Sequence, residues 1–434
     1  MHTKLLKCMK KWFNCFFSCL FACSFAQQPI PAPPQSAPIW IKQGILHTAS
    51  DKGTFVGDIW IENGKITQIG TVQNPSTNAI VIEAQGKHIY PGFIAPNTIL
   101  GLAEIEAARA TRDYAEVGNI TPNVRTQIAY NTDSKIIPTV RYNGILIAQV
   151  AATAGLISGL SSIMYLEGWN WEDATLKPND AMYINIPSFK IYGEDKEGKQ
   201  KENQDKSVKE LFKAFEEAYA YAVAKKANKI TQTDQRWEAM IPVFEQKIPV
   251  FARANELKQI YLALELAEKY SLKLVLVGAS EGSKIAKILA DKKIPVVLER
   301  IHSLPDHEDE DIDLPFRKPK ILHDAGVKFC LSLEGFWQQR NLPFLAGTAI
   351  AYGLPAEEAL KSITLHAAQI LGIADRVGSL EVGKEATLIM TEGDVFDMKS
   401  STLYKAFVQG KEIQLTSIQT ELYQKYKQKY QLKP

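Results

Sequence analysis

Residues 90–102 have the sequence YPGFIAPNTILGL, and this stretch decides the fold. An apolar-rich run from Ala79 to Ile89 leads into it. Pro91 and Gly92 are turn residues, because proline fixes φ and glycine tolerates conformations closed to other residues. The pattern predicts a strand, a tight turn and then a short buried strand that opens on a polar region at Asn97.

Short strands separated by turns precede this stretch and recur near the C-terminus. Alternating or apolar runs occur at 39–41, 59–61, 65–69 and 79–82, with turn signals such as Asn63-Gly64 between them. The same pattern of short strands and turns recurs at 377–390 and 406–413. Strands need partners, so two separated all-β pieces predict one shared sheet built from both chain ends.

Between these pieces, apolar strands alternate with amphipathic helices, which is typical of a parallel barrel. Asn143–Val150 and Gly159–Leu166 fit the second and third barrel strands. The last four predicted strands are Pro249–Ala252, Leu272–Val277, Ile294–Leu298 and Val327–Leu331.

Two polar regions interrupt or follow this pattern. Tyr192–Lys206 has almost no apolar residue and is predicted to be a solvated loop. A helix is then expected from Ser207, with Glu210 completing a capping box. Near the C-terminus, Leu422 and three tyrosines up to Tyr430 predict a short amphipathic helix packed on the body.

Composition indicates a soluble globular chain with room for more than one domain. The 434 residues are 46% hydrophobic and 23% charged, and the formal net charge is +2. The first 26 residues contain four lysines and no acid, so the rest of the chain has a net charge of −2. This balance gives no indication of a nucleic-acid partner.

The first 26 residues resemble a secretory leader, with a lysine-bearing start, an apolar run and small residues before a cleavage position at Ala26. Lipidation at Cys23 is the alternative. In either case we expect export to the periplasm or the exterior, without a transmembrane anchor once the leader is removed. Cys330 is the only cysteine after the leader, and its apolar surroundings predict a buried side chain.

The turn at Pro91–Ile94 resembles the amidohydrolase superfamily, in particular its imidazolonepropionase-like branch. The runs Thr364–Gly372 and Val377–Met390 extend that resemblance. It implies an α/β fold, namely a distorted (β/α)8 TIM barrel plus a composite β-sandwich formed by both chain ends. The domain boundaries expected on this basis are a signal peptide at 1–26, an extended Pro/Gln-rich segment at 27–38, the sandwich at 39–90 and 376–415, the barrel at 91–375 and a C-terminal helix at 416–434.

The resemblance also locates the family's metal ligands on this chain. The family's turn continues Pro-Gly-Phe-Ile-Asp into a His-x-His pair that binds zinc or another divalent ion. Here Ala95 stands at the Asp position, and Asn97 and Ile99 stand at the two His positions. An isoleucine side chain has no atom that can ligate a metal.

The other ligand positions have changed as well. Arg253 stands at the fifth-strand His position, and its guanidinium has no lone pair to donate. The sixth-strand His position falls within Gly278–Ser280, which contains no imidazole. Glu334 replaces the eighth-strand Asp. We therefore predict that no metal or other cofactor is bound, and we expect the Arg253 guanidinium to neutralise Glu334, with a hydrogen bond from Asn97.

A rebuilt site remains an alternative. His302 follows the seventh apolar strand, and His307–Asp313 forms an acidic loop that offers oxygen ligands or is simply solvated. Trp169 and Trp171 follow the third strand, where aromatic rings either stack on a ligand or belong to the core.

Two functions are therefore expected, and a purely structural or assembly role is a third alternative. In the first, the protein is a catalytically impaired homologue of enzymes that hydrolyse non-peptide carbon–nitrogen bonds. It binds a small ligand or a partner at the barrel mouth through Asn97, Arg253, Trp169 and Trp171. In the second, it is an active hydrolase with an unorthodox or metal-free site around Glu334, His302 and Arg253. The sequence does not indicate an oligomeric state.

Overall fold

The computed structural model describes residues 30–191, 193 and 198–432, so the predicted leader lies outside the described residues. One compact unit begins at Ala32. The two hydrophobic cores formed by the described residues are built within this unit.

The described chain contains strands throughout. In chain order they are β1 (Ile39–His47), β2 (Thr54–Glu62), β3 (Lys65–Gly70), β4 (Ile80–Glu83), β5 (His88–Pro91), β6 (Phe93–Thr98), β7 (Ile145–Val150), β8 (Ile157–Leu160), β9 (Ser162–Tyr165), β10 (Thr175–Lys177), β11 (Met182–Asn185), β12 (Val250–Ala254), β13 (Leu274–Gly278), β14 (Val296–Leu298), β15 (Phe329–Leu331), β16 (Leu388–Thr391), β17 (Leu403–Val408) and β18 (Lys411–Glu412).

Helices connect the later strands and close the chain. In order they are α1 (Ile137–Arg141), α2 (Trp171–Ala174), α3 (Lys199–Lys226), α4 (Gln235–Phe244), α5 (Leu257–Tyr270), α6 (Ala286–Asp291), α7 (Leu314–Asp324), α8 (Leu342–Ala351), α9 (Ala356–Ser362), α10 (Leu365–Leu371) and α11 (Ile418–Lys429). Within the described residues, no helix is long and apolar enough to cross a membrane.

Both chain ends build one sheet, as the sequence predicted. Its path runs β18-β17-β16-β5-β1-β2-β3, and β4 also pairs with β1. The link between the two ends is the antiparallel pairing of β16 with β5. A separate core fills this sheet system with side chains from both ends, including Ile41, Ile61 and Phe407. The composite sandwich is confirmed.

The turn at Pro91-Gly92 carries the chain from the sandwich into the barrel. Gly92 donates a 3.0 Å backbone hydrogen bond to Thr387 in the sandwich, and Phe93 donates one of 2.9 Å to Gly144 before β7. A Cβ atom at Gly92 would lie 2.7 Å from Cδ1 of Leu146, so a larger residue would force the Leu146 side chain to move. The small residue therefore suits the close approach of this turn to β7.

The barrel is built from two sheets, which are joined where β8 leads into β9. One holds β6, β7, β9 and β10, and the other holds β8 and β11 to β15. Only Ser161 separates β8 from β9, so these two segments act as one strand between β7 and β11. The ring closes where Ser332, after β15, donates a 2.6 Å hydrogen bond to the carbonyl of Pro96 in β6. The predicted fold class is confirmed.

The third barrel strand runs opposite to its neighbours. β9 pairs antiparallel with β7, and β8 pairs antiparallel with β11, whereas β11 to β15 pair in parallel. The span predicted at Gly159–Leu166 was close, but its parallel direction was wrong, because an apolar run contains no information about direction. Residues after β9 therefore lie at the amino ends of the parallel strands.

Two helix predictions also need correction. Helix α3 begins at Lys199, eight residues before the predicted Ser207, with Gly198 at its N-cap in the left-handed region at φ 66°. Charged residues such as Lys and Glu are good helix formers, so their solvation does not imply a loop. Helix α11 forms where predicted, but it contributes no buried residue.

Candidate ligand site at the barrel mouth

The barrel mouth comprises the carboxyl ends of the parallel strands and the loops that follow them. Five polar side chains meet there. Asn97 lies near the end of β6, Asn185 ends β11 and Arg253 is the fourth residue of β12. Glu299 directly follows β14, and Glu334 lies three residues after β15. Parallel strands bring their carboxyl ends to one edge, so these side chains come together although they are far apart in sequence.

Arg253 is the most tightly held of these residues. Its Nε and Nη2 atoms donate to Oδ1 of Asn97 at 3.2 and 2.9 Å. Its Nη1 atom donates to the Ala152 carbonyl at 2.9 Å and to Oδ1 of Asn185 at 3.2 Å. The guanidinium carbon also lies 4.5 Å from the centre of the Tyr183 ring. These contacts fix a positive charge at the mouth.

Burial lowers the pKa of Arg253, while the charges of Tyr183, Glu299 and Glu334 oppose that shift. An arginine with a lowered pKa still remains protonated at physiological pH. The guanidinium is therefore a permanent cation, and two carboxyl groups of the mouth contribute to its stabilisation.

Asn97 connects this cation to the carboxyl groups. Its side chain accepts from Arg253 through Oδ1 and donates through Nδ2 to Oε1 of Glu299. The backbone of Asn97 has φ 51°, in the left-handed region that asparagine tolerates better than most residues. Its backbone N–H donates to Oε1 of Gln149 at 3.3 Å.

Glu299 and Glu334 form a carboxyl pair. Burial and the neighbouring Glu334 charge raise the pKa of Glu299 to about 8, whereas Arg253 acts to lower it. The two carboxyl groups lie within hydrogen-bonding reach of each other, so a proton on Glu299 bonds to Glu334. Glu334 is exposed and Glu299 is partly exposed, so the pair faces the open mouth.

The predicted direct pairing of Arg253 with Glu334 is not formed. Within the part of the chain that the structure describes, Arg253 makes no direct ion pair, and Asn97 stands between it and Glu299. Glu299, which accepts the hydrogen bond from Asn97, was not among the site residues predicted from the sequence. A signal existed, because Glu299 follows the seventh strand just as Glu334 follows the eighth.

A buried polar network lies beneath the mouth. Gln149 accepts from the Tyr183 hydroxyl at 2.8 Å and donates to Oδ2 of Asp180 at 2.7 Å. Ser161 donates to Oδ1 of Asp180 at 2.7 Å. Burial raises the pKa of Asp180 to about 6, against the lowering effect of these hydrogen bonds. The network holds Tyr183, over which Arg253 lies.

His302 lies near the mouth but does not join the carboxyl pair. Its Nε2 atom is 2.7 Å from the Thr348 hydroxyl, and its ring packs edge-on against Phe316. Burial and the charge of Arg300 lower the pKa of His302. Among the described contacts, none connects His302 with Glu334, so these two predicted catalytic residues are not brought together.

The two tryptophans lie at the amino end of the barrel strands, opposite the mouth. Val150, at the carboxyl end of β7, pairs with Ser162, whereas Tyr165 pairs with Ile147 nearer the amino end. Trp169 and Trp171 follow Tyr165, so the reversed strand carries them away from Arg253. Trp169 is exposed, and Trp171 packs against the main core. The expected position of Trp169 and Trp171 at the mouth is therefore not found, because the strand before them is reversed.

The acidic loop supplies one compact group of potential metal ligands. Atoms of Glu281, His307 and Glu310 all lie within 4.8 Å of one another. However, Nζ of Lys284 lies 2.7 Å from Glu281 and 2.9 Å from Glu310. One ammonium group is already paired with both carboxylates, so these residues carry no metal proposal.

The mouth residues do not suit the divalent metal that the family implies. The amide oxygens of Asn97 and Asn185 are already acceptors for Arg253. The guanidinium would repel a second cation at close range. Ile99 is partly buried against the core and offers no ligand atom. Only the carboxyl pair retains ligand chemistry, and two carboxyl groups fall short of the three or more ligands usual for zinc.

Comparison with known proteins agrees with this fold. A profile of the amidohydrolase family matches residues 315–413. The chain is 23% identical over 370 residues to imidazolonepropionase from Geobacillus sp., covering 77% of this chain and 83% of that protein. It is 21% identical over 387 residues to 5′-deoxyadenosine deaminase from Methanobrevibacter smithii, covering 82% and 84%. A shorter match to imidazolonepropionase from Erwinia tasmaniensis is 55% identical over 38 residues and spans 9% of that protein.

A solved amidohydrolase from Thermotoga maritima extends the agreement to three dimensions. It has 26% sequence identity and a TM-score of 0.76, with coverage of 87% of this chain and 99% of the other. The match therefore takes in both the barrel and the composite sandwich. Together with the turn at Pro91–Ile94, these similarities relate the chain to the amidohydrolase superfamily.

Proposed function

We propose that this protein is an exported, catalytically impaired amidohydrolase that binds a small molecule at the barrel mouth. Its ligand contacts Arg253 and the Glu299–Glu334 pair. No metal takes part in binding, and the protein does not carry out the metal-dependent hydrolysis of its family.

The arrangement of Arg253 carries this proposal. Four hydrogen bonds tie its guanidinium to Asn97, Ala152 and Asn185. These bonds would have to break before a metal could use the same oxygen atoms. A fixed cation and a nearby acid pair favour a polar ligand with groups of both charges or with several hydrogen-bonding atoms.

Metal content and turnover, measured on the same sample, test the proposal. The protein is purified without chelators, analysed for divalent metals and incubated with an imidazolone propionate and with 5′-deoxyadenosine, the compounds named in its relatives. We expect less than stoichiometric metal and no turnover. One divalent ion per chain together with turnover of either compound would overturn the proposal.

Ligand binding is tested separately by thermal shift with a library of small polar metabolites. A compound that stabilises the wild-type protein should lose its effect in Arg253→Met. The matched control is Arg236→Met, because Arg236 is an exposed arginine whose described hydrogen bonds and ion pair all involve Asp234 and no residue of the mouth. A library in which no compound distinguishes Arg253→Met from the control would contradict a ligand site at the mouth.

The carboxyl pair favours a second candidate, which is metal-free hydrolysis. Glu334 would take a proton from water as the resulting hydroxide attacks the substrate carbon. Protonated Glu299 would give its proton to the leaving nitrogen as the carbon–nitrogen bond breaks. Turnover that survives a chelator but is lost in both Glu299→Gln and Glu334→Gln would establish this candidate, whereas chelator-sensitive turnover would exclude it.

Export rests on the leader sequence at residues 1–26. N-terminal sequencing of the protein recovered from cells is expected to begin at Gln27, or at a lipidated Cys23 if the alternative holds. A mature protein that begins at Met1 would contradict export through this leader.

A further inference from the structure

Helix α11 has an apolar face with no partner in the described chain. Ile418, Leu422, Tyr426 and Tyr430 follow each other at intervals of four residues, and Tyr423 lies beside them. Their exposed fractions range from 44% for Leu422 to 61% for Tyr430. Side chains four residues apart share one side of a helix, so these five form a continuous exposed stripe.

The hydrogen bond described between the body and this helix lies near the start of the helix. Ser417 caps its N-terminus, and the Thr139 hydroxyl donates to Oε1 of Gln419 at 2.8 Å. Beyond this point none of its residues is buried. The stripe is therefore presented outward on a helix that is already formed.

Lysines border the stripe. Nζ of Lys427 lies 6.0 Å from the centre of the Tyr423 ring, and Nζ of Lys429 lies 5.0 Å from that of Tyr430. Lys425 lies one turn before Lys429. Long lysine side chains can extend along an apolar surface while their charges remain in water or among anionic groups.

Charge is distributed unevenly between this helix and the rest of the protein. Residues 418–434 contain four lysines and one glutamate, a net charge of +3. Residues 27–417 have a net charge of −5. The basic charge of the chain after the leader is thus concentrated beside its exposed aromatic stripe.

This distribution argues against a second copy of the chain as the partner. Symmetric pairing of two α11 helices would bring like charges together, which is unfavourable. Docking of α11 on the acidic body of another copy would be a head-to-tail contact, which continues into open chains unless it closes into a ring. An anionic lipid surface meets both features of the helix, because tyrosine favours the membrane interface and lysine favours anionic headgroups.

We propose that α11 docks this protein on membranes that contain anionic lipid, with the Ile418–Tyr430 stripe at the headgroup boundary and the lysines on the headgroups. The helix lies in the plane of the membrane surface rather than spanning it. The proposal is independent of what binds at the barrel mouth.

Vesicle sedimentation tests the proposal. The protein from Gln27 onward is used, which keeps every described residue of the two hydrophobic cores. It is mixed with vesicles of phosphatidylcholine alone or with an equal share of phosphatidylglycerol. We expect binding only to the anionic vesicles, with a loss of about tenfold or more when the salt concentration rises from about 0.1 M to about 0.5 M.

Two triple variants separate the apolar and the charged contributions. Leu422→Ser/Tyr423→Ser/Tyr426→Ser removes most of the stripe, and Lys425→Gln/Lys427→Gln/Lys429→Gln removes the charges. Each should weaken vesicle binding by about tenfold or more. The control Gln424→Ser/Gln428→Ser changes the opposite face and should bind like the wild type. Circular dichroism verifies that every variant remains folded, as expected for positions that bury nothing.

Two results would overturn the proposal. One is an absence of binding to the anionic vesicles, or binding that both triple variants retain. The other is a stable dimer in sedimentation analysis that the stripe variant abolishes, since the stripe would then serve a second copy of the chain.

Discussion

Replacement of Arg253 by methionine tests the electrostatic design of the mouth. The substitution keeps a long apolar stem over Tyr183 but removes the charge and all five N–H donors. Four hydrogen bonds disappear, and the acceptor oxygens on Asn97, Ala152 and Asn185 lose their donor. A buried acceptor without a donor costs about 1–3 kcal/mol. Because water can reach part of the mouth, we expect a total loss of about 2–4 kcal/mol in the free energy of unfolding.

The loss should also depend on pH. The pKa of Glu299 is about 8 in the folded protein, whereas an unfolded glutamate has a pKa of about 4.3. The folded state therefore holds an extra proton, and its stability falls as the pH rises between these values. Without Arg253 the pKa of Glu299 rises further, so the fall continues above pH 8. Each unit of further rise adds about 1.4 kcal/mol to the loss at high pH.

Urea denaturation followed by circular dichroism measures this effect at about pH 6 and about pH 9. Arg253→Met should lose more stability at the higher pH. In the background of Glu299→Gln, that pH-dependent excess should disappear. The control Arg236→Met should change stability by about 0.5 kcal/mol or less, as is usual for exposed positions. A loss that is equal at both pH values would refute the coupling between Arg253 and Glu299.

Three further outcomes follow from buried or shared protons. Glu299→Gln should reduce the decline in stability between about pH 5 and about pH 8 in urea denaturation, and an unchanged slope would contradict the raised pKa of Glu299. Asp180→Ala should cost about 2–4 kcal/mol of unfolding free energy, because it leaves donors on Gln149 and Ser161 unpaired in the core; a loss below about 1 kcal/mol would mean that this network is hydrated. Burial raises the pKa of the Cys330 thiol, so the native protein should resist a maleimide reagent that labels the urea-unfolded chain, and equal labelling rates would show that Cys330 is accessible.

The fold followed largely from local sequence signals. Pro91-Gly92 marked the point where the chain passes from the sandwich to the barrel, and the apolar runs at 249–252 and 272–277 marked barrel strands. The direction of the third strand did not follow, because the apolar run around Ile163 fits either orientation. That one ambiguity also misplaced Trp169 and Trp171, since their position depends on which end of the strand they follow.

The candidate site was predicted only in part. Positions carried over by resemblance brought Asn97, Arg253 and Glu334 to one mouth, where the structure places them. Glu299 was missed because the family pattern gives its position no role, although its place after an apolar strand was visible. His302 was predicted to be catalytic because it follows a barrel strand, but sequence order does not indicate the direction of a side chain. In the structure, His302 forms its hydrogen bond with Thr348.

The central claim is that the Arg253 guanidinium, and not a metal ion, occupies the centre of the barrel mouth. A crystal of the protein purified without chelators and soaked in zinc, measured at the zinc absorption edge, tests it most directly. We predict no anomalous peak within about 3 Å of the Glu334 or Glu299 carboxylates, with the Arg253 guanidinium bonded to Asn97. A zinc peak ligated by either glutamate, with Arg253 displaced, would contradict the account.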